Sequence, residues 1–302
     1  MITTFDGGIE LILWLQQFSP ALDQLFIFFT LLGNETFFLV ALPTLYWCFD
    51  RRIGARLVIL FLFSIVLNSW AKLLADQPRP FEYDPRVRAL VEIDTGGFPS
   101  GHTQSAVVVW GYLATQIKRR WFWSMAILLM ICIPLSRLYL GVHFPIDIVG
   151  GYTIGLVLLL LYLWGEPAAE AWIAKQPLAG QLGLAVALPL LLFWSLPAVD
   201  HNAIAAAATL LGMGVGLALE RRWVRFETNR VWRTNLLRLL VGMVGVAVFY
   251  LGLRVAFAGL EPEPLWRFVR YASLGLWCAW GAPWLFMQLR LASSENGPST
   301  PP

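Results

Sequence analysis

Long apolar segments separated by short charged loops make up most of this chain. Two of them, residues 181–198 and 203–219, contain no charged side chain. Over the whole chain only 14% of the 302 residues are charged, whereas a soluble domain carries about 25%. A helix of about 20 apolar residues crosses the hydrocarbon core of a bilayer, where every backbone polar group must be bonded within the segment. The sequence therefore predicts an all-α, polytopic bundle of membrane helices.

Nine segments are long and apolar enough to be predicted as transmembrane helices. Their approximate limits are 25–48, 54–74, 103–117, 122–142, 146–164, 181–198, 203–219, 236–258 and 270–290. The polar pair Asn34 and Glu35 interrupts the first of them. We expect residues 1–165 to form a core with five of these helices and residues 166–292 to add the other four. Residues 293–302 are rich in Ser and Pro, and we expect them to form a disordered tail.

The loops between these segments alternate in charge, which predicts the orientation of the chain. Basic residues concentrate near 51–56, 118–120 and 221–238, and basic loops stay on the cytoplasmic side. The N-terminus is then outside and the C-terminus inside, as an odd number of crossings requires. We predict a multi-pass protein of the cell (inner) membrane whose other loops face the periplasm or the extracellular side. Because orientation explains the basic loops, nucleic-acid binding is not expected.

Three short blocks at the predicted outer ends of the helices contain most of the residues suited to chemistry. They are Lys72–Pro80, Pro99–His102 and Ser136–Asp147. Arg79 and Arg137 each offer a guanidinium fork that can hold an oxyanion through two hydrogen bonds, and Lys72 offers a point charge. The loops that contain these blocks leave the membrane on the same side, so they can meet at one anion-binding site.

The second block has the pattern of a helix start. Ser100 is a good N-cap residue, and Gly101 allows the backbone to approach a ligand closely. The N–H groups of a first helical turn, together with the helix dipole, favour an anion at this position. His102 lies in that turn and is placed to donate a proton to a leaving alkoxide.

The third block offers an imidazole and a carboxylate at a spacing that suits nucleophilic catalysis. Pro145 is expected to begin a helix, with His143 just before it and Asp147 in its first turn. A carboxylate at that distance can hold one imidazole N–H and fix the tautomer, which leaves the opposite nitrogen able to attack phosphorus. The pattern predicts a covalent phosphohistidine that water then hydrolyses.

Taken together, the patterns K-x6-R-P, P-S-G-H and S-R-x5-H-x3-D resemble those of the type 2 phosphatidic acid phosphatase superfamily, and all three are complete between residues 72 and 147. The resemblance implies a phosphatase that needs no metal or other cofactor. It implies His143 as the nucleophile, Asp147 as its orienting carboxylate and His102 as the general acid. It implies phosphate binding by Lys72, Arg79, Arg137, Ser100 and Gly101. The longer layout is loosely similar to the glucose-6-phosphatase and sphingosine-1-phosphate phosphatase branches.

A site at the membrane surface suits a substrate with an apolar tail and a phosphate headgroup. The predicted function is hydrolysis of a lipid phosphate or diphosphate, with phosphatidic acid, phosphatidylglycerol phosphate, a sphingoid-base phosphate and a polyprenyl diphosphate as candidates. One alternative is a phosphatase for a soluble ester, similar to glucose-6-phosphatase. Another is a non-catalytic binder or transporter of a lipid phosphate, although binding alone needs no nucleophile. The sequence leaves the substrate and the oligomeric state open.

Overall fold

The structure is a computed structural model that describes residues 4–93, 95–195, 200–228 and 231–294. The described chain is almost entirely helical, as the apolar segments predict. Its helices are α1 (Thr4–Gln16), α2 (Asp23–Leu31), α3 (Glu35–Thr44), α4 (Arg51–Ala75), α5 (Pro80–Tyr83), α6 (Gly101–Ala106), α7 (Tyr112–Ile117), α8 (Arg120–Tyr139), α9 (Pro145–Ala174), α10 (Leu178–Ser195), α11 (His201–Leu219), α12 (Trp232–Ala247), α13 (Leu253–Ala256), α14 (Glu263–Leu276) and α15 (Ala282–Gln288).

Five π-helical turns continue or join these helices, at Leu45–Phe49, Val107–Gly111, Glu220–Val224, Val248–Gly252 and Trp277–Gly281. One antiparallel pair of two-residue strands, β1 (Phe226–Glu227) and β2 (Ser293–Ser294), completes the described elements. The predicted disordered tail thus begins with two residues that pair as β2, and its residues 295–302 lie outside the described part of the chain.

Six helices of the described chain are long and apolar enough to cross a bilayer, and a seventh crossing results if α2 and α3 act as one. The chain is therefore a multi-pass helical membrane protein, whereas the predicted count of nine and the predicted orientation of the termini stay predictions. The helical stretch 101–117 is shorter than the about 20 residues of a typical crossing. The stretch 263–288 contains Arg267 and Arg270 and is rich in Trp, Gly and Ala, which are less apolar than Leu or Ile. Neither stretch is among the six.

The first predicted helix is broken in the middle. Helices α2 and α3 meet at an angle of 49°, and the break falls at residues 32–34. The break contains Gly33 and Asn34 and lies directly before Glu35. Gly and Asn both favour helix ends over helix interiors. Side chains in and just before the break contact the predicted site.

The chain divides into two compact units, of which the first comprises residues 1–39 and 67–164 and the second residues 40–66 and 165–302. The predicted division near residue 165 stays a prediction. All eight predicted site residues belong to the first unit. In the second unit, Arg238 is fully buried and donates to the carbonyl oxygens of Leu291 and Trp47. This arginine, at the end of the basic stretch 221–238, therefore also stabilises the packing of this unit.

Two apolar clusters fix the turn between α8 and α9. Val142 packs with Phe26, Tyr139 and Leu140 in one cluster. Phe144 packs with Ile9, Ile12 and Val87 in the other. His143 lies between these two anchors, so burial of its neighbours stabilises the backbone on both sides of the imidazole.

The start of α6 packs closely against α9. A Cβ atom built on Gly151 would lie 2.7 Å from the carbonyl oxygen of Ser100 and 2.8 Å from Thr103 Cβ. Only glycine therefore permits this approach without a shift of the backbone. The contact brings the second and third sequence blocks together.

Candidate active site

His143 and Asp147 form a buried pair at the start of α9. His143 Nδ1 lies 3.1 Å from Asp147 Oδ2, which also accepts the Phe144 backbone N–H at 2.8 Å. The two residues are 2% and 0% exposed. Because an ionised carboxylate only accepts, Nδ1 carries the proton and the lone pair of His143 is on Nε2. This is the tautomer that the sequence predicts for a histidine nucleophile.

Gln77 also contacts the carboxylate, and sequence reasoning missed it. Its Nε2 donates to Asp147 Oδ1 at 2.6 Å, so both carboxylate oxygens have a donor. Gln77 lies between Lys72 and Arg79 in the first block, but a lone amide in a loop has no pattern that marks it. This contact ties the first block to the third.

Arg79 lies beside the atom predicted to attack. Its guanidinium is 1% exposed, and its Nη1 lies 3.5 Å from His143 Nε2. It also donates to the carbonyl oxygens of Thr95 at 2.6 Å, of Gly96 at 3.0 Å and of Val142. Arg79 thus holds the loop of residues 95–97 and the turn before His143, in addition to supplying positive charge at the site.

Lys72 reaches the same loop from the end of α4. Its Nζ donates to the carbonyl oxygen of Gly96 and, at 3.4 Å, to that of Gly97. The Gly97 N–H in turn donates to the carbonyl oxygen of Gln77 at 2.9 Å. Lys72 and Arg79, two of the predicted phosphate-binding cations, therefore both donate to carbonyl oxygens of the loop 95–97 and hold it in place.

Arg137 is buried near the C-terminus of α8, with 2% exposure. Its Nη1 donates to Thr30 Oγ1 at 2.5 Å. Its Nε is buried and has no hydrogen-bond partner among the described residues. A buried donor on a charged group is costly to leave unbonded, so this guanidinium is suited to bind an additional acceptor such as a phosphate oxygen.

The second block begins α6, as its sequence predicts. Ser100 is the N-cap, and its Oγ accepts the Thr103 N–H at 3.4 Å. The Ser100 N–H donates to the backbone carbonyl of Asp147 at 3.0 Å. Gly101 is the first residue of the helix and His102 the second. His102 Nε2 lies 2.8 Å from Asn34 Oδ1, a contact with the first predicted helix that sequence reasoning did not identify.

The electrostatic field of the site favours a neutral His143. Burial lowers the pKa of His143 well below its ordinary value, and the charges of Arg79, Arg137 and Lys72 lower it further. His102 contributes to the same lowering, so the two predicted catalytic imidazoles lie within electrostatic range. A low pKa keeps the Nε2 lone pair available at neutral pH, as a nucleophile requires.

Comparison with known families shows the superfamily to which the chain belongs. Residues 53–170, which include the three blocks, match the model of the PAP2 superfamily. Residues 204–294 match a second model, described as PAP2 superfamily phosphatase, transmembrane extension. The two matches together cover more than half of the chain and place it in the PAP2 superfamily. The resemblance to the type 2 phosphatidic acid phosphatases is thereby confirmed.

Individual relatives are lipid phosphatases. Sphingosine-1-phosphate phosphatase 2 of Mus musculus is 29% identical over 65% of this chain and 57% of its own length. Lipid phosphate phosphatase delta of Arabidopsis thaliana is 29% identical over 65% of this chain and 50% of its own length. The chain thus spans about half the length of these relatives. Among solved structures, Aquifex aeolicus LpxE is 27% identical with a TM-score of 0.47, over 52% of this chain and 94% of that one.

Proposed function

We propose that this protein is an integral-membrane phosphatase that hydrolyses a lipid phosphate or diphosphate through a phosphohistidine. The observation that carries the proposal is the buried His143–Asp147 pair beside three basic side chains. The site has an excess of two positive charges, because it combines three cations with one carboxylate. The cations are Lys72, Arg79 and Arg137, and the carboxylate is that of Asp147. A phosphate monoester carries about −1.5 to −2 charge at pH 7, so it complements this excess.

The first chemical step transfers the phosphoryl group to the protein. His143 Nε2 attacks phosphorus, and the bond from phosphorus to the leaving oxygen breaks with its electron pair on that oxygen. His102 gives a proton to this oxygen, so the lipid leaves as an alcohol. The cations stabilise the charge on the transferring phosphoryl oxygens. Asp147 stabilises the positive charge that the imidazole acquires.

The second step releases phosphate. Water attacks phosphorus and loses a proton to His102, which now acts as a base. The bond between phosphorus and Nε2 breaks, its electron pair returns to His143, and inorganic phosphate leaves. Both histidines are then in their starting protonation states.

The place of the proposed site in a multi-pass membrane protein supports a lipid substrate. The blocks lie at the ends of apolar helices, where the phosphate headgroup of a lipid can reach the site while the apolar tail of the lipid stays in the hydrocarbon core. The names of the two curated relatives point to lipid phosphates as well. A soluble ester remains the competing substrate, and comparison of rates distinguishes the two.

Purified protein in detergent is expected to release inorganic phosphate from at least one membrane lipid phosphate, and to do so at an unchanged rate with excess chelator. The chemistry proposed above is carried by side chains alone, so removal of divalent metal should not slow it. The measurement is phosphate release from phosphatidic acid, phosphatidylglycerol phosphate, a sphingoid-base phosphate and a polyprenyl diphosphate. A soluble sugar phosphate serves as comparison. A faster rate on the sugar phosphate, or a rate lost with chelator, would contradict this part of the proposal.

We further propose that the site faces the periplasm or the extracellular side of the cell membrane, because the basic loops lie at the opposite helix ends. Glu92 is exposed in the loop beside the site and Arg222 is exposed at the other end of the predicted topology. In a variant without native cysteines, Glu92→Cys should react with an impermeant thiol reagent added to intact cells. Arg222→Cys should react only after lysis. The reverse pattern would overturn the orientation.

A further inference from the structure

The break between α2 and α3 touches the predicted general acid directly. Asn34 Oδ1 lies 2.8 Å from His102 Nε2, although 68 positions separate the two residues in sequence. The oxygen of a carboxamide only accepts, so Nε2 donates to it and carries a proton. The Thr30 backbone also hydrogen-bonds to His102, but Asn34 is the side chain that holds Nε2, and it leaves Nδ1 as the ring nitrogen that it does not hold.

The backbone at the break is shaped to the imidazole. A Cβ atom on Gly33 would lie 2.5 Å from His102 Cδ2 and 3.2 Å from Cγ. Any side chain at residue 33 would have to displace the ring or the backbone. Because residue 33 is glycine, the backbone can contact the imidazole ring of His102, and Asn34 accepts a hydrogen bond from Nε2 of the same ring.

The same break supports a second site residue. Thr30, one helical turn before Asn34, accepts the Nη1 hydrogen bond from Arg137. Arg137 and His102 of the predicted site are thus held by Thr30, near the end of α2, and by Asn34, in the break. The contacts of Thr30 with Arg137 and of Asn34 with His102 indicate that the 49° bend positions functional groups.

We propose that Asn34 is the positioning residue for His102, a role that rests on the proposed phosphatase function. Asn34 holds Nε2, so the proton given to the leaving oxygen comes from Nδ1, the nitrogen that Asn34 does not hold. The arrangement parallels His143, where Asp147 holds Nδ1 and Nε2 attacks. A neutral amide orients His102 without the negative charge that would make its imidazolium a weaker acid.

The test uses the dependence of general-acid catalysis on the leaving group. An alkoxide needs a proton as it leaves, because its parent alcohol is about as weak an acid as water. A phenoxide needs it much less, since phenols ionise near pH 10. We compare kcat on a long-chain alkyl phosphate with kcat on a para-alkylphenyl phosphate of similar length. Misplacement of a catalytic group by about 1 Å costs about 100-fold.

Asn34→Ala should therefore lower kcat on the alkyl ester roughly 10- to 100-fold and on the aryl ester by less than about threefold, with little change in KM. Asn34→Asp keeps the acceptor and should retain more of the alkyl-ester rate than Asn34→Ala. In a His102→Ala background, Asn34→Ala should have little further effect, because the two residues act as a unit. Thr36→Ala is the matched control, since Thr36 is exposed on the same helix start.

The outcomes separate this inference from the proposed function. A wild-type protein that hydrolyses neither ester contradicts the phosphatase itself. An active wild type with equal losses on both esters in Asn34→Ala makes the residue merely structural and overturns the inference. Should Asn34→Ala not fold, Gly33→Ala and Asn34→Asp decide. Displacement of the ring by Gly33→Ala must then give the alkyl-selective loss, and equal losses on both esters refute the positioning role.

Discussion

His143→Ala is expected to abolish phosphate release, with a fall in kcat of about 10⁶-fold. The nucleophile forms the covalent bond, and no neighbouring side chain can take over that step from the same position. Arg79 and Lys72, which lie nearby, serve as hydrogen-bond donors at the site and offer no nucleophilic lone pair. The measurement is phosphate release from the lipid that the wild-type protein hydrolyses best.

His201→Ala is the matched control, because His201 is an exposed histidine in the second unit, 3.8 Å from Glu263. It should retain the wild-type rate. Brief reaction with radiolabelled substrate followed by denaturation should trap an acid-labile, base-stable label on the wild-type protein. The label should be absent in His143→Ala. Label that persists in this variant would refute the assignment of the nucleophile.

Asp147→Asn is expected to lower kcat about 10⁴-fold, less than the loss in His143→Ala. The amide keeps the shape of the carboxylate but removes the charge that balances the phosphorylated imidazole. It also turns an N–H₂ group toward one of the three donors that Asp147 accepts from: Gln77, Phe144 and His143. The imidazole retains its lone pair in part of the molecules, so residual activity is expected.

Trapping distinguishes the two variants. Asp147→Asn should still form the phosphohistidine, only more slowly, whereas His143→Ala should not form it. Asp23→Asn is the control, since the Asp23 carboxylate accepts the Tyr139 hydroxyl at 2.6 Å and has no contact with His143. A loss in Asp147→Asn as complete as that in His143→Ala, without label, would mean that the carboxylate does more than orient and balance charge.

The local features of the site could be predicted from sequence because each one depends on neighbours a few residues away. Ser100 caps α6 through Thr103, and Asp147 holds His143 one helical turn away. Spacing alone determines such contacts. The helical class was also predictable, since charge-free segments in a bilayer have few alternatives.

The long-range contacts could not be predicted in the same way. Gln77 meets Asp147 across 70 positions, and Asn34 meets His102 across 68. Amides carry no charge and occur in many loops, so nothing in the sequence ranks one above another. Asn34 stands out in the sequence only because, with Glu35, it interrupts an apolar segment. The Asn34 contact depends on the angle at which two helices meet, which hydropathy does not encode.

Asp147 connects all three sequence blocks through separate atoms. Its carbonyl accepts from Ser100, and its carboxylate accepts from Gln77 and His143. The loops are thus not interchangeable modules. A chimera that imports one loop from another member of the superfamily must preserve each of these bonds, so substrate preference is best re-engineered by transplanting the loops as a set or by leaving them intact and varying the surrounding helices.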